Sequence, residues 1–200
     1  MRKAVFVDRD GTLNEMVYNE THGLMDSPML PEQVRMIPGA GAFLAELRKA
    51  GFFVCVATNQ PGLAKGTLTL KTLDAVNQAL ANQLDAEGGH WDDLAVCPHH
   101  PKGNGLQNEF VRECRCRKPK PGLLVDAAKV HGIDLAASWM IGDGLNDIQA
   151  GRAAGCRTIL VARLKIEQVE RFFQLDNCLP DAIVPTLLDA WPIIRKSNQI

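Results

Sequence analysis

Short, unbroken apolar runs alternate along this chain with longer stretches in which apolar positions recur at helical spacing. The runs fall at residues 3–7, 52–57, 94–97, 139–141, 158–162 and 182–184. Continuous apolar segments of this length, rich in β-branched and aromatic residues, read as strands buried on both faces. Pro38-Gly39 opens a helix that carries Phe43, Leu44 and Leu47 on one face and stops at Gly51. Further helices are expected over 70–86, from Pro121 to a stop at Gly132, over 146–154 and near 166–173, with a last turn or two after the final strand. Strands alternating with helices predict an α/β fold, a doubly wound parallel sheet covered on both faces. Residues 13–37 show no periodicity and several Pro, Gly and Asn; so long a stretch in a compact domain marks function. It leaves no room for a large cap, so the site is expected to be open. Residues 1–200 are read as one domain with a loop insertion at about 97–117.

In such a sheet, ligands lie beyond the carboxyl ends of the strands. The polar residues waiting there are Asp8 and Asp10, then Thr58 and Asn59, then Asp143, with Arg117 and Lys118 just before a helix start. If the extended chain continues past Val7, Asp8 and Asp10 point to the same side. Two carboxylates about 4 Å apart repel by roughly 4 kcal/mol at an effective dielectric near 20, and a divalent cation relieves that. Each piece also has a plain reading: an acidic turn for Asp8 and Asp10, a capping turn for Thr58-Asn59, helix-start acids for Asp143 and Asp147, a solvated charge for Lys118. Together at one sheet edge they suit a phosphate and its metal.

The charge balance, 22 basic against 23 acidic residues and a net charge of -1, provides no field for nucleic acid or an anionic membrane. No apolar run approaches a membrane span, and the first residues lack a signal-peptide pattern. The expectation is a cytoplasmic protein, a monomer acting on a small molecule. Among six cysteines, Cys55 and Cys156 sit in apolar surroundings as core residues. Cys97, His99, Cys114 and Cys116 form a Cys₃His set in two tight pairs, which suits structural zinc; thiols that merely cluster are the alternative. The polar 102–107 segment between the pairs would be closed by such a clip.

In order, Asp8-Arg9-Asp10-Gly11-Thr12, Thr58-Asn59, Lys118 and Gly142-Asp143 with Asp147 resemble the four motifs of the haloacid-dehalogenase-like (HAD) superfamily. Thr58-Asn59-Gln60-Pro61-Gly62, Cys97-Pro98-His99-His100-Pro101 and Cys114-Arg115-Cys116-Arg117-Lys118-Pro119 are similar to its zinc-carrying branch of histidinol and heptose-bisphosphate phosphatases. The resemblance implies phosphomonoester hydrolysis through an aspartyl phosphate, with removal of the 7-phosphate of D-glycero-D-manno-heptose 1,7-bisphosphate as the expected reaction, in the supply of surface lipopolysaccharide heptose. Histidinol phosphate or another sugar phosphate is the alternative substrate. A non-enzymatic scaffold would have no reason to keep Asp8, Asp10, Lys118 and Asp143 together. The implied roles are Asp8 as nucleophile, Asp10 as acid and then base, and Thr58 and Lys118 as donors to the phosphoryl group. Mg²⁺ is implied on Asp8, the Asp10 carbonyl and Asp143, and Zn²⁺ on Cys97, His99, Cys114 and Cys116. Met16, Val17, Tyr18, Asn19, Asn59, Gln60, Pro61 and Arg117 are expected to neighbour the substrate. Gly144 is a departure, since relatives usually carry Lys or Arg directly after the fourth-motif aspartate.

Overall fold

The computed structural model describes residues 1–20, 23–103, 108–162 and 178–198. Eight strands occur among them: β1 (Ala4–Val7), β2 (Val17–Asn19), β3 (Leu24–Asp26), β4 (Phe53–Asn59), β5 (Asp93–Cys97), β6 (Trp139–Gly142), β7 (Arg157–Val161) and β8 (Ala182–Val184). The helices are α1 (Ala40–Lys49), α2 (Gly62–Lys65), α3 (Leu70–Ala86), α4 (Gly122–His131), α5 (Leu145–Ala154) and α6 (Leu187–Ser197). Six strands form one parallel sheet in the order β5-β4-β1-β6-β7-β8.

β1 explains why the strand sequences are continuously apolar. Val5 and Val7 point into a layer with Val54, Val56, Trp139, Ile141 and Ile159, whereas Ala4 and Phe6 point into a second layer with Phe53, Cys55, Ala57 and Met140. Side chains alternate, but both faces are covered, so every position is buried. Phe43, Leu44 and Leu47 of α1, Val76, Leu80 and Leu84 of α3, and Leu187, Ala190 and Ile194 of α6 seal the first layer. Leu123, Leu124, Ala127 and Ala128 of α4 seal the second, and Ile148 of α5 packs on Leu160 beside it.

Strand succession runs outward from β1 through β4 to β5, then returns to β6 on the other side of β1 and continues to β8. The crevice where that direction reverses, between the ends of β1 and β6, is where such sheets bind ligands. Asp8 and Asp143 are the residues immediately after those two strands.

Three local features depart from the sequence reading. The 13–37 stretch contains the antiparallel hairpin β2–β3 and a 3₁₀ turn at Pro31–Gln33. The two strands have three residues each and are not buried, so no apolar alternation marks them. The final element is a helix of 11 residues, longer than a turn or two, and it runs through Pro192. Pro192 lacks the N–H of a helix interior, and burial of Leu187, Ala190 and Ile194 on one side offsets that loss. The short α2 follows Pro61 and buries Leu63 and Ala64. The helix expected near 166–173 lies outside the described residues.

Candidate active site

β1 and β6 are paired with Val7 opposite Ile141, and the Asp8 N–H extends that pairing by donating to the Ile141 carbonyl at 2.8 Å. The register therefore brings the next residues of both strands together, and Asp8 and Asp143 line one cavity of about 220 Å³. Asp10, Met16, Ser27, Thr58, Asn59, Lys118, Gly144, Asn146 and Asp147 complete its wall. Gly11 sits opposite Asp143 at φ 85°, where a Cβ would overlap the Asp143 carboxylate. Only glycine fits that turn and that approach.

Lys118 arrives from the loop before α4 and is almost wholly buried. Its Nζ donates to Asp8 Oδ1 at 2.7 Å and to the Ala57 carbonyl at 2.6 Å, and it forms an ion pair with Asp147 Oδ1 at 2.5 Å. Asn59 at the end of β4 fixes the backbone there, donating to the Lys118 carbonyl and accepting the Lys118 N–H. Asp147 Oδ2 meanwhile accepts the Gly144 N–H at 3.2 Å and closes the first turn of α5. One side chain thus closes the start of α5 and pairs with Lys118.

Five donors converge on the Asp10 carboxylate: Arg9 Nε and Nη2, Asn14 Nδ2, Ser27 Oγ and Gln60 Nε2, at 2.7–3.1 Å. Arg9, 1% exposed, reaches with its remaining nitrogen to Asn77 of α3 at 2.6 Å. Gln60 Nε2 also donates to Thr58 Oγ1 at 2.8 Å. That leaves the Thr58 hydroxyl proton available to a ligand.

The electrostatics separate the two motif aspartates. Burial, then the carboxylate of Asp147, pushes Asp8 up to about 7, against the pull of Lys118. Burial, then Asp8, pushes Asp143 up to about 6. Burial opposes ionisation of Asp10 too, but the Arg9 guanidinium and the hydrogen bonds outweigh it and hold that carboxyl below the usual range. Lys118 is raised: burial alone would lower it, but Asp147 and Asp8 more than compensate. Carboxylate oxygens of Asp8, Asp143 and Asp147 lie within 4.8 Å of one another. Clustered acids with raised proton affinity are what a divalent cation would relieve, so the donor set fits a hard metal ion.

The sulfur cluster forms a second centre. His99 Nδ1 lies 3.3 Å from Cys116 Sγ and 3.7 Å from Cys97 Sγ, and Cys97 Sγ lies 3.3 Å from Cys116 Sγ and 3.7 Å from Cys114 Sγ. Tetrahedral zinc with Zn–S of about 2.3 Å has ligand-to-ligand edges of about 3.8 Å, so these residues fit it. Cys97, Cys114 and Cys116 are thiols, not disulfides. His100 is turned elsewhere, its Nδ1 lying 2.6 Å from the Lys102 carbonyl oxygen and 3.0 Å from the Lys102 backbone nitrogen.

The expected substrate neighbours divide. Met16 and Asn59 line the cavity. Gln60 acts on it through Asp10 and Thr58, and with Pro61 borders a separate small hollow. Arg117 lines an adjoining cavity that Lys118 shares. Val17, Tyr18 and Asn19 belong to β2 and are not among the cavity's wall residues. Arg9, Asn14, Ser27 and Asn146 went unrecognised in the sequence. Arg9 stands between the two aspartates, so alternation alone points it away from them; its bond to Asp10 depends on a bend after β1 that no spacing reveals.

These features have known counterparts. Residues 115–190 match the HAD-hydrolase-like family model. The chain is 35% identical over 154 residues to the D-glycero-beta-D-manno-heptose-1,7-bisphosphate 7-phosphatase of Rhodopseudomonas palustris, covering 77% of this chain and 80% of that protein. It is 38% identical over 160 residues to the enzyme of the same name from Escherichia coli K12, covering 80% and 78% respectively. The crystal structure of D,D-heptose 1,7-bisphosphate phosphatase from B. bronchiseptica, complexed with magnesium and phosphate, superposes with a TM-score of 0.74 at 31% identity over 98% of both chains. On that sequence and fold similarity, the chain belongs to the HAD-like phosphatases, in the family of the heptose-bisphosphate 7-phosphatases.

Proposed function

We propose that this protein is a Mg²⁺-dependent phosphatase that removes the 7-phosphate of D-glycero-D-manno-heptose 1,7-bisphosphate through a phosphoryl group carried on Asp8. The observation that carries the reading is the meeting of Asp8, Asp143, Asp147 and Lys118 in one cavity beside the Thr58 hydroxyl. Asp8 is the nucleophile: its carboxylate oxygen attacks phosphorus, and the bond to the leaving sugar oxygen breaks. Lys118 Nζ and Thr58 Oγ1 donate to the phosphoryl oxygens, whose charge spreads in the transition state. Asp10 handles the protons, first giving one to the sugar oxygen and then taking one from the water that hydrolyses the intermediate. Its five donors favour the carboxylate, the form needed for the second step.

Asp8, Asp143 and the Asp10 carbonyl would hold the magnesium ion, which supplies the positive charge an anionic nucleophile needs beside a phosphate dianion. Cys97, His99, Cys114 and Cys116 would hold zinc as a clip for the 97–117 loop, with all four positions taken by protein. A Cys₃His cluster suited to a metal rather than to disulfides accords with a cytoplasmic protein. Among the described residues no helix is long and apolar enough to cross a membrane. We read the protein as a single domain and a monomer, with a phosphorylated sugar as its only partner.

Phosphate release with Mg²⁺ across heptose 1,7-bisphosphate, histidinol phosphate and other sugar phosphates tests this directly. The heptose bisphosphate should give the highest kcat/KM. A preference for histidinol phosphate would overturn the substrate, and inactivity on every phosphomonoester would overturn the reaction.

A further inference from the structure

Arg112 Nη2 lies 2.8 Å from His99 Nε2. A guanidinium has donors only, so this contact requires Nε2 to be the bare, accepting nitrogen of the ring. The ring's proton then sits on Nδ1, the nitrogen that faces Cys116 and Cys97. Coordination of a metal through Nδ1 needs the opposite arrangement, with Nδ1 bare and the proton on Nε2. A ligating histidine ordinarily offers that outer N–H to a carboxylate or carbonyl. Here it would meet another donor at 2.8 Å. The Arg112 contact and metal ligation by His99 are therefore incompatible.

The displaced guanidinium has somewhere to go. Arg112 already lines a cavity of about 240 Å³ with His100, Glu113, Arg117, Lys118 and Lys120, next to the Asp8 cavity through their common Lys118. Lys118 is matched by Asp8 and Asp147, and Lys120 by Glu113. Arg112 and Arg117 have no carboxylate within 4.0 Å among the described residues. Position 144, on the rim of the Asp8 cavity, supplies no charge because it is glycine. Two guanidinium groups without a carboxylate partner on one small cavity match a phosphate, which they can bind with paired N–H donors.

We propose that Arg112 is a substrate-recognition residue released by metal loading: once His99 Nδ1 is a ligand, Arg112 leaves Nε2 and, with Arg117, binds the phosphate of the sugar that is not transferred. This rests on the bisphosphate reading above. It makes recognition depend on an intact metal loop.

The test uses the full chain and Arg112→Gln, whose carbonyl oxygen can accept the His99 Nε2–H that arginine opposes. Zinc affinity, measured by competition with a chromogenic chelator, should rise about tenfold in the variant, the lower end of the effect of outer partners on ligating histidines. The ratio of kcat/KM for heptose 1,7-bisphosphate to that for heptose 7-phosphate should fall about tenfold, through KM. Arg112→Lys, which keeps the charge, should recover part of the ratio. Unchanged zinc affinity in Arg112→Gln would overturn the release, and an unchanged ratio would overturn the recognition role. Wild-type protein inactive on both sugars would instead overturn the enzymatic reading and, with it, the recognition role, while the zinc measurement would still decide the release.

Discussion

Asn59 and Lys118, 59 positions apart, exchange two hydrogen bonds of 3.0 Å between the Asn59 carboxamide and the Lys118 backbone. That clamp ties the 97–117 loop to the end of β4 and aims the Lys118 ammonium between Asp8 and Asp147. Asn59→Ala removes both bonds and leaves a backbone N–H and C=O without partners, at a cost of about 1–3 kcal/mol each for a buried group. Denaturant unfolding should register that loss. Displacing Lys118 by about 1 Å should also lower kcat on the order of 100-fold; a variant with wild-type kcat would show that Lys118 is held without the clamp.

Asp8→Asn separates catalysis from stability. Lys118 keeps Asp147 at 2.5 Å and the Ala57 carbonyl at 2.6 Å, while one of three crowded carboxylates becomes neutral. Without added metal at pH 8, the variant should melt at or above the wild-type temperature, although turnover falls below detection. A clear drop in melting temperature would mean that the Asp8–Lys118 pair outweighs the crowding.

The fold was legible in the sequence where burial leaves a pattern. Residues such as Val5, Phe6, Val54 and Ile141 face covered layers on both sides of the sheet, so their strands read as unbroken apolar runs. The site was legible where strand ends carry polar residues in order, as at Asp8, Thr58 and Asp143. Ser27 and Arg9 were not. Ser27 reaches Asp10 only because the exposed hairpin β2–β3 folds its chain back over the site, and an exposed hairpin needs no apolar signature. Arg9 buries its charge against a side chain of α3, 68 positions away, and that partnership is tertiary. Arg112 is a third case: a basic residue in a polar loop reads as a solvated charge until its contact with His99 is seen.

The raised proton affinities of Asp8, about 7, and Asp143, about 6, against an ordinary value of 3.8, set a pH dependence whose sign is fixed. Between pH 4 and 7 the metal-free folded state binds more protons at these groups than the unfolded chain does, so their contribution falls as pH rises. Asp10, held low, acts with the opposite sign, but near and below its ordinary value of 3.8, outside that window. Mg²⁺ should therefore raise the melting temperature more at pH 8 than at pH 5, where protons already relieve the cluster. An equal or larger rise at pH 5 would contradict a metal site on these carboxylates.

Metal analysis of purified protein should give about one zinc per chain, as a four-ligand site requires. Cys114→Ser should lose it and unfold at lower temperature, because the 97–117 loop then carries its closure entropy unaided. The loop also positions Lys118, so phosphatase activity should fall with zinc content. Full activity in zinc-free protein would show that the loop is set by other contacts.

In turnover Asp8 should carry the phosphoryl group. Wild-type protein mixed with heptose 1,7-bisphosphate and Mg²⁺, acid-quenched within the first turnovers and reduced with borohydride, should yield homoserine at position 8 by peptide mass spectrometry. Reduction at another carboxylate, or full turnover by Asp8→Asn, would contradict it.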